Sequence, residues 1–184
     1  DIKPKNLTDA EKKEVFANKS GWVREAGSVL SGNGNTGADP EVLVAISNLS
    51  ANMGAANITE IEFVTTSFDK SDGGNIDVLV RFNEPVTVTG TPQVSITNGN
   101  QGSGTGRGPH LASYLSGSTT NELTFRFTLG AANAATNEND VLVIGTNATA
   151  LNSGTIKDTG EGTVATITNT SAQGTAAGSI TVAA

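Results

Sequence analysis

Between positions 75 and 98 the chain alternates apolar and polar residues almost strictly. Ile76, Val78, Val80 and Phe82 are separated by Asp77, Leu79 and Arg81, with Asn83 following. This is close to the two-residue period of a half-buried strand, with Leu79 the one departure on the polar side. Pro85 predicts a bend, Val86 and Val88 resume the alternation, and Gly90-Thr91-Pro92 turns the chain into Val94 and Ile96. The most regular case is Leu123, Phe125, Phe127 and Leu129, interleaved with Thr124, Arg126 and Thr128. Similar patterns predict strands at 58–66, 76–82, 86–88, 94–97, 111–115, 123–129, 141–144, 155–157, 163–168 and 179–182. The intervening stretches are rich in Gly, Asn and Ser, the usual chemistry of tight turns. Many short strands with such connections predict an all-β fold, an antiparallel β-sandwich.

The first 56 residues read differently. Thr8 followed by Glu11 fits a capping box, and Asp9 and Glu11 suit a helix N-terminus. A short helix over 9–17 follows, with an apolar side (Ala10, Val15, Phe16, Ala17) too thin to stand alone. Trp22-Val23 and the apolar run 42–46 can pair as a hairpin around the turn-rich 31–39, and 52–57 reads as a linker. The expected division is an N-terminal arm, 1–56, and a sandwich domain, 57–184.

Charge narrows the partners. The net charge is −7, which argues against nucleic acid, since a nucleic-acid surface is basic. The surplus is uneven: residues 1–56 hold six Lys/Arg against seven Asp/Glu, while 57–184 hold five against eleven. An acidic sandwich stays soluble and repels its own copies. There is no Cys, hence no disulfide and no thiolate ligand or nucleophile. No apolar run approaches membrane-spanning length, so no membrane partner is expected. The first residue is Asp rather than Met, which leaves room for a preceding signal segment.

Catalytic residue types are sparse. His110 is the lone histidine, beside Pro109 at the end of a glycine-rich run, and reads as a solvated loop residue. No Gly-x-Ser-x-Gly elbow occurs. The run 102–108, GSGTGRG, lacks both the Gly-Lys-Ser/Thr of a phosphate loop and the spacing of a dinucleotide fingerprint. Glu60 with Glu62, or Glu84 alone, are the only candidates for glycosidase-type acid–base work, and the first two read as a solvated strand face. The expectation is a non-enzyme. Calcium is the one cofactor to consider: Asp69, Asp72 and Asp77 cluster around one turn, with Asp140, Asp158 and Glu161 in other loops. Their spacing is not that of an EF-hand. Partner binding is expected at Phe16, Trp22, Val42, Val44 and Ile46, an aromatic and aliphatic set in a region with too small a core of its own.

Two resemblances add to this. Gly74-Asn75-Ile76-Asp77-Val78, Phe82-Asn83-Glu84-Pro85-Val86-Thr87-Val88-Thr89-Gly90-Thr91-Pro92, Ala112-Ser113-Tyr114-Leu115-Ser116-Gly117-Ser118, Leu123-Thr124-Phe125 and Leu151-Asn152-Ser153-Gly154-Thr155-Ile156-Lys157-Asp158 resemble bacterial Ig-like surface modules. That resemblance implies an Ig-like sandwich and leaves function open, since such modules serve as spacers, displays and binders. Leu7-Thr8-Asp9-Ala10-Glu11-Lys12, Gly21-Trp22-Val23 and Glu41-Val42-Leu43-Val44-Ala45-Ile46 resemble structural proteins of marine tailed bacteriophages, especially those of cyanobacteria. This implies a virion protein whose N-terminal region docks on a major capsid protein or another shell protein while an Ig-like domain faces outward. A capsid decoration protein on the virion surface is the expected function, with homo-oligomeric copies in the assembly and a cell-surface glycan as a further partner. The alternative is an extracellular adhesin fragment or filament subunit assembled by strand addition.

Overall fold

A computed structural model describes residues 3–32, 34–99, 108–133 and 135–184. The glycine-rich run expected as a loop lies outside the described residues except for Gly108. In chain order the elements are α1 (Asp9–Lys13), β1 (Val15–Asn18), β2 (Gly21–Arg24), β3 (Glu41–Ala45), α2 (Leu49–Asn52), β4 (Ile58–Phe63), β5 (Phe68–Asp69) and β6 (Gly74–Thr89). They continue with β7 (Gln93–Gly99), β8 (His110–Ser116), β9 (Thr120–Leu129), β10 (Val141–Ala150), β11 (Thr155–Asp158), α3 (Ser171–Ala176) and β12 (Ser179–Ala183).

The fold is all-β and sandwich-like. The main sheet runs β11-β6-β9-β8-β7-β10-β12-β5, and β4 shares with β11 the outer edge of β6. Every pair is antiparallel except β12–β5, so the sheet is mixed. It curls on itself so that its inner residues meet. Ile76, Val78, Val80 and Phe82 of β6 are packed with Leu123 and Phe125 of β9, Val94 and Ile96 of β7, Leu142 of β10 and Ile180 and Val182 of β12. The alternation in the sequence is therefore the inward face of these strands.

Four expectations change. Pro85 does not end a strand: β6 is continuous over sixteen residues, and its pairing with β9 shifts between Arg81 and Val86. Proline is tolerated there because a bulge has already broken the ladder. The stretch 163–168 makes only isolated bridges, Val164 with Lys157 and Thr166 with Asn57. Helix α3 lies in a segment where no helix was expected, opened by a capping box between Thr170 and Gln173. The first helix stops at Lys13, and Val15–Asn18 is a strand instead.

That last change makes the expected hairpin a three-stranded sheet, β1-β2-β3. Asn18 Oδ1 accepts a hydrogen bond from Ser20 N at 2.7 Å, which tightens the turn from β1 into β2. Gly21 follows at φ +134°, where an added Cβ would lie 2.0 Å from Val44 O. The turn thus needs glycine both for its backbone and for the close approach of β3. Val15, Ala17 and Trp22 form an apolar cluster of their own, covered by Leu7, Leu43, Leu49 and Met53. The N-terminal region so has a small core separate from that of the sandwich.

Candidate functional site

The outer strand of the N-terminal sheet exposes a row of apolar side chains. β3 follows Pro40 and among the described residues pairs only with β2, so it ends the sheet. A terminal strand presents unpaired backbone groups, a template for another strand. Its side chains add an apolar row: Val42, Val44 and Ile46, just beyond the strand, are 50%, 40% and 41% exposed. Leu43 between them turns inward onto the Trp22 cluster. The pairing shifts between Trp22 and Val23, where Leu43 is the extra residue. One end of β3 is fixed by charge. Arg24 Nη2 lies 3.1 Å from Glu11 Oε1, and Nη1 lies 3.6 Å from Glu41 Oε2, so one guanidinium ties α1 to the start of β3. At the other end Ile46 N donates to Ser20 O at 3.0 Å.

The five residues expected to bind a partner fall into two groups. Val42, Val44 and Ile46 are presented to solvent together. Trp22, 5% exposed, and Phe16, 7% exposed, are buried within the chain itself. Trp22 anchors the cluster beneath β3, and Phe16 lines a cleft with Thr120, Asn121 and Glu122 of the sandwich. Trp22 thus supports β3 from beneath, while Phe16 faces the sandwich.

The N-terminal sheet packs on the sandwich through β1, which lies against β6, and the seam is charged. Arg81 Nη1 bonds Glu60 Oε2 at 2.9 Å and Glu62 Oε1 at 2.6 Å, while its Nε bonds Glu122 Oε1 at 2.6 Å. Lys13 of the N-terminal region pairs with Glu60 from above. Burial works against the Arg81 charge, but Glu122 and Glu62 outweigh it and hold the guanidinium above its ordinary range. Burial also brings the Lys3 ammonium down to about 8, against the pull of Glu60. Burial, with the Glu122 carboxylate beside it, pushes Glu25 up to about 7. Glu60 and Glu62 are therefore committed to an ion-pair cluster and are not the solvated face expected of them.

The other candidate residues are placed as follows. Asp77 holds Arg126 bidentately, at 2.7 Å and 2.6 Å. Asp69 Oδ1 accepts from Ser71 N and Oγ at 2.8 Å and 2.6 Å, capping its own turn. Asp72 is exposed in the same turn. Among the described residues no three His, Cys, Asp or Glu side chains converge as a metal cluster. His110 is not a solvated loop residue: it is 3% exposed, stacks on Phe127 at 4.7 Å and reaches Thr136 Oγ1 with Nε2 at 2.9 Å. Burial lowers its pKa and nearby Asp140 partly restores it. Among the described residues no helix is long and apolar enough to cross a membrane. The sequence missed the fully buried pair Glu84 and Asp158, which β6 and β11 bring together.

No family model, curated protein or solved structure matches the chain. The functional reading therefore rests on the geometry and on the residue patterns above.

Proposed function

We propose that the protein is a non-enzymatic virion structural protein, a capsid decoration protein that docks on a shell protein through β3 and displays the acidic sandwich outward. The observation that carries the reading is the terminal strand β3 with Val42, Val44 and Ile46 exposed in a row. A strand from the shell protein adds to this edge, its backbone completing the ladder and its side chains covering the three apolar residues. The pattern of the N-terminal region, which resembles marine phage structural proteins, supplies the class of assembly. The net charge of −7 disfavours association of copies with one another and so favours a different protein as the occupant.

The test is incorporation into particles assembled with a Val42→Lys/Val44→Lys variant. Both positions are exposed, so the variant melts as the parent does, within about 0.5 kcal/mol. Incorporation falls at least about tenfold, corresponding to roughly 1.4 kcal/mol of lost docking energy. Unchanged incorporation overturns the proposal. Fibres formed by this chain alone, and abolished by the same substitutions, would instead identify a filament subunit.

A further inference from the structure

The bulge of β6 buries an acidic side chain that makes no ion pair among the described residues. Glu84 sits between Arg81 and Val86, where the pairing with β9 shifts register, and it is 0% exposed. Among the described residues no N–H donates to either of its carboxylate oxygens. Asp158, at the end of β11, is 2% exposed. Its Oδ1 accepts from the backbone N–H groups of Gly160 and Glu161, but its Oδ2 receives no N–H among the described residues. The two carboxyl groups are close enough to share a proton. Three buried carboxylate oxygens thus receive no N–H among the described residues, and only a shared proton or a bound cation can neutralise the pair. Burying both groups ionised and uncompensated is strongly unfavourable.

Both residues line a cavity of about 190 Å³ at the seam between the N-terminal region and the sandwich. Asn18 and Lys19, from the turn between β1 and β2, close one side, and Ser50 of α2 and Thr119 close others. Asn18, Ser50 and Thr119 bring side-chain oxygens. Lys19 is the lone cationic side chain of the lining and makes no ion pair with either carboxylate. Glu161 adds to the negative field at Glu84. Two carboxylates among neutral oxygens, with no imidazole or thiolate in the lining, are the chemistry of a hard cation.

We propose that Glu84 and Asp158, with the neutral oxygens of this cavity, bind one calcium ion that clamps the β1–β2 turn onto the sandwich. Calcium suits the site better than magnesium, because it accepts irregular oxygen sets and releases its waters readily. The bulge has the role that bulges often have, aiming one side chain away from the plain alternation of its strand. The site is independent of the docking reading, since it lies in the seam and not on β3.

The experiment is a calorimetric titration of chelator-treated full-length protein with CaCl2 near neutral pH, paired with thermal melts. One ion binds per chain, with Kd on the order of 10⁻⁴–10⁻³ M as expected for two carboxylates. About 5 mM CaCl2 raises the melting temperature by about 3–6 °C. In Glu84→Gln the calcium response is lost, while its calcium-free form melts at or above the calcium-free parent, because the amide donates to Asp158 Oδ2. Should that variant fail to fold, the parent titration still decides, with Asp158→Asn as the second variant. Absence of calcium binding by the parent overturns the proposal and leaves a shared proton as the means of neutralising the pair. Calcium binding that survives in Glu84→Gln and disappears in Asp69→Asn also overturns it, by placing the ion in the Asp69 turn.

Discussion

Replacing Arg81 with Met should destabilise the chain by about 3 kcal/mol near neutral pH, and the loss should shrink in acid. Arg81 lies at the centre of the seam with its side chain 14% exposed, between Glu60 at 12% and Glu62 and Glu122 at 32% each. Methionine keeps the packing of the aliphatic stem but removes the charge. Removing one partner of a buried ion pair costs about 3–5 kcal/mol, chiefly because the other partner stays buried without its counter-charge. Here two of the three glutamates are a third exposed, which lowers the figure, and Lys13 still reaches Glu60. Repulsion among the stranded carboxylates, with Glu25 beside Glu122, raises it again. Protonation relieves that repulsion. Glu25 sets the sign: its value of about 7 lies above the ordinary 4.5, so between these values the folded state holds more protons than the unfolded chain. Its contribution to stability is therefore full in acid and is lost as pH rises through about 7. Without Arg81, which lowers the Glu25 value, this pH dependence steepens. Urea unfolding of both proteins at about pH 7 and about pH 4.5 measures the difference, and the deficit should fall to roughly 1 kcal/mol at the lower value. An equal loss at both pH values would refute the electrostatic argument, as would a loss below about 0.5 kcal/mol, the size of an exposed pair.

Trp22→Ala should cost about 3–5 kcal/mol locally, melting the N-terminal sheet while the sandwich persists. Backbone hydrogen exchange is the check: protection should drop in β1 and β2 and be retained in β6 and β9, and an equal drop in both would contradict the two-core description. His110 has a folded-state pKa below its ordinary 6.5 because it is buried, so the folded state binds fewer protons just below that pH. Its contribution is complete above 6.5 and is lost as pH falls from 6.5 through the folded value. Glu84, raised to about 8 chiefly by burial, acts in the opposite sense between 4.5 and about 8. The difference between parent and His110→Gln across pH 5–7 is therefore the readout, and a constant difference would argue against a buried neutral imidazole.

Much of the sandwich was legible because its strands are buried on one face, which imposes the two-residue period directly on the sequence. The failures have local causes. Val15, Phe16 and Ala17 followed a recognisable helix start and were read as its continuation, yet Val and Phe favour strands and Asn18, Ser20 and Gly21 supply the turn that lets them pair. Pro85 reads as a break because its effect on a ladder is easy to anticipate, whereas the bulge that accommodates it depends on β9. Helix α3 carried a readable signal: Thr170 and Gln173 have the same capping spacing as Thr8 and Glu11. The surrounding Gly, Ser and Thr content masked it. At the candidate site the small N-terminal core points to five residues alike, and the sequence does not separate the exposed Val42, Val44 and Ile46 from the buried Phe16 and Trp22, because that depends on which face of the sheet meets the sandwich. Burial of His110, and the meeting of Glu84 with Asp158, depend on which strands become neighbours, and no local pattern encodes that.

The charged seam changes how the docking proposal can be tested. Deleting the N-terminal region appears at first to be the natural experiment, since that region has its own apolar cluster. Yet the deletion would also take Lys13 from Glu60, remove Phe16 from the wall of the cleft beside Glu122 and open the cavity that encloses Glu84 and Asp158. A truncated chain that failed to join particles would then be explained as well by a destabilised sandwich as by a missing docking strand. Substitutions at Val42 and Val44 avoid this, because those side chains are exposed and take no part in the seam's ion pairs. If the lysine variant keeps the parent's stability and seam protection in hydrogen exchange, a loss of incorporation is attributable to the edge of β3. If it keeps incorporation as well, the docking surface lies elsewhere on the molecule.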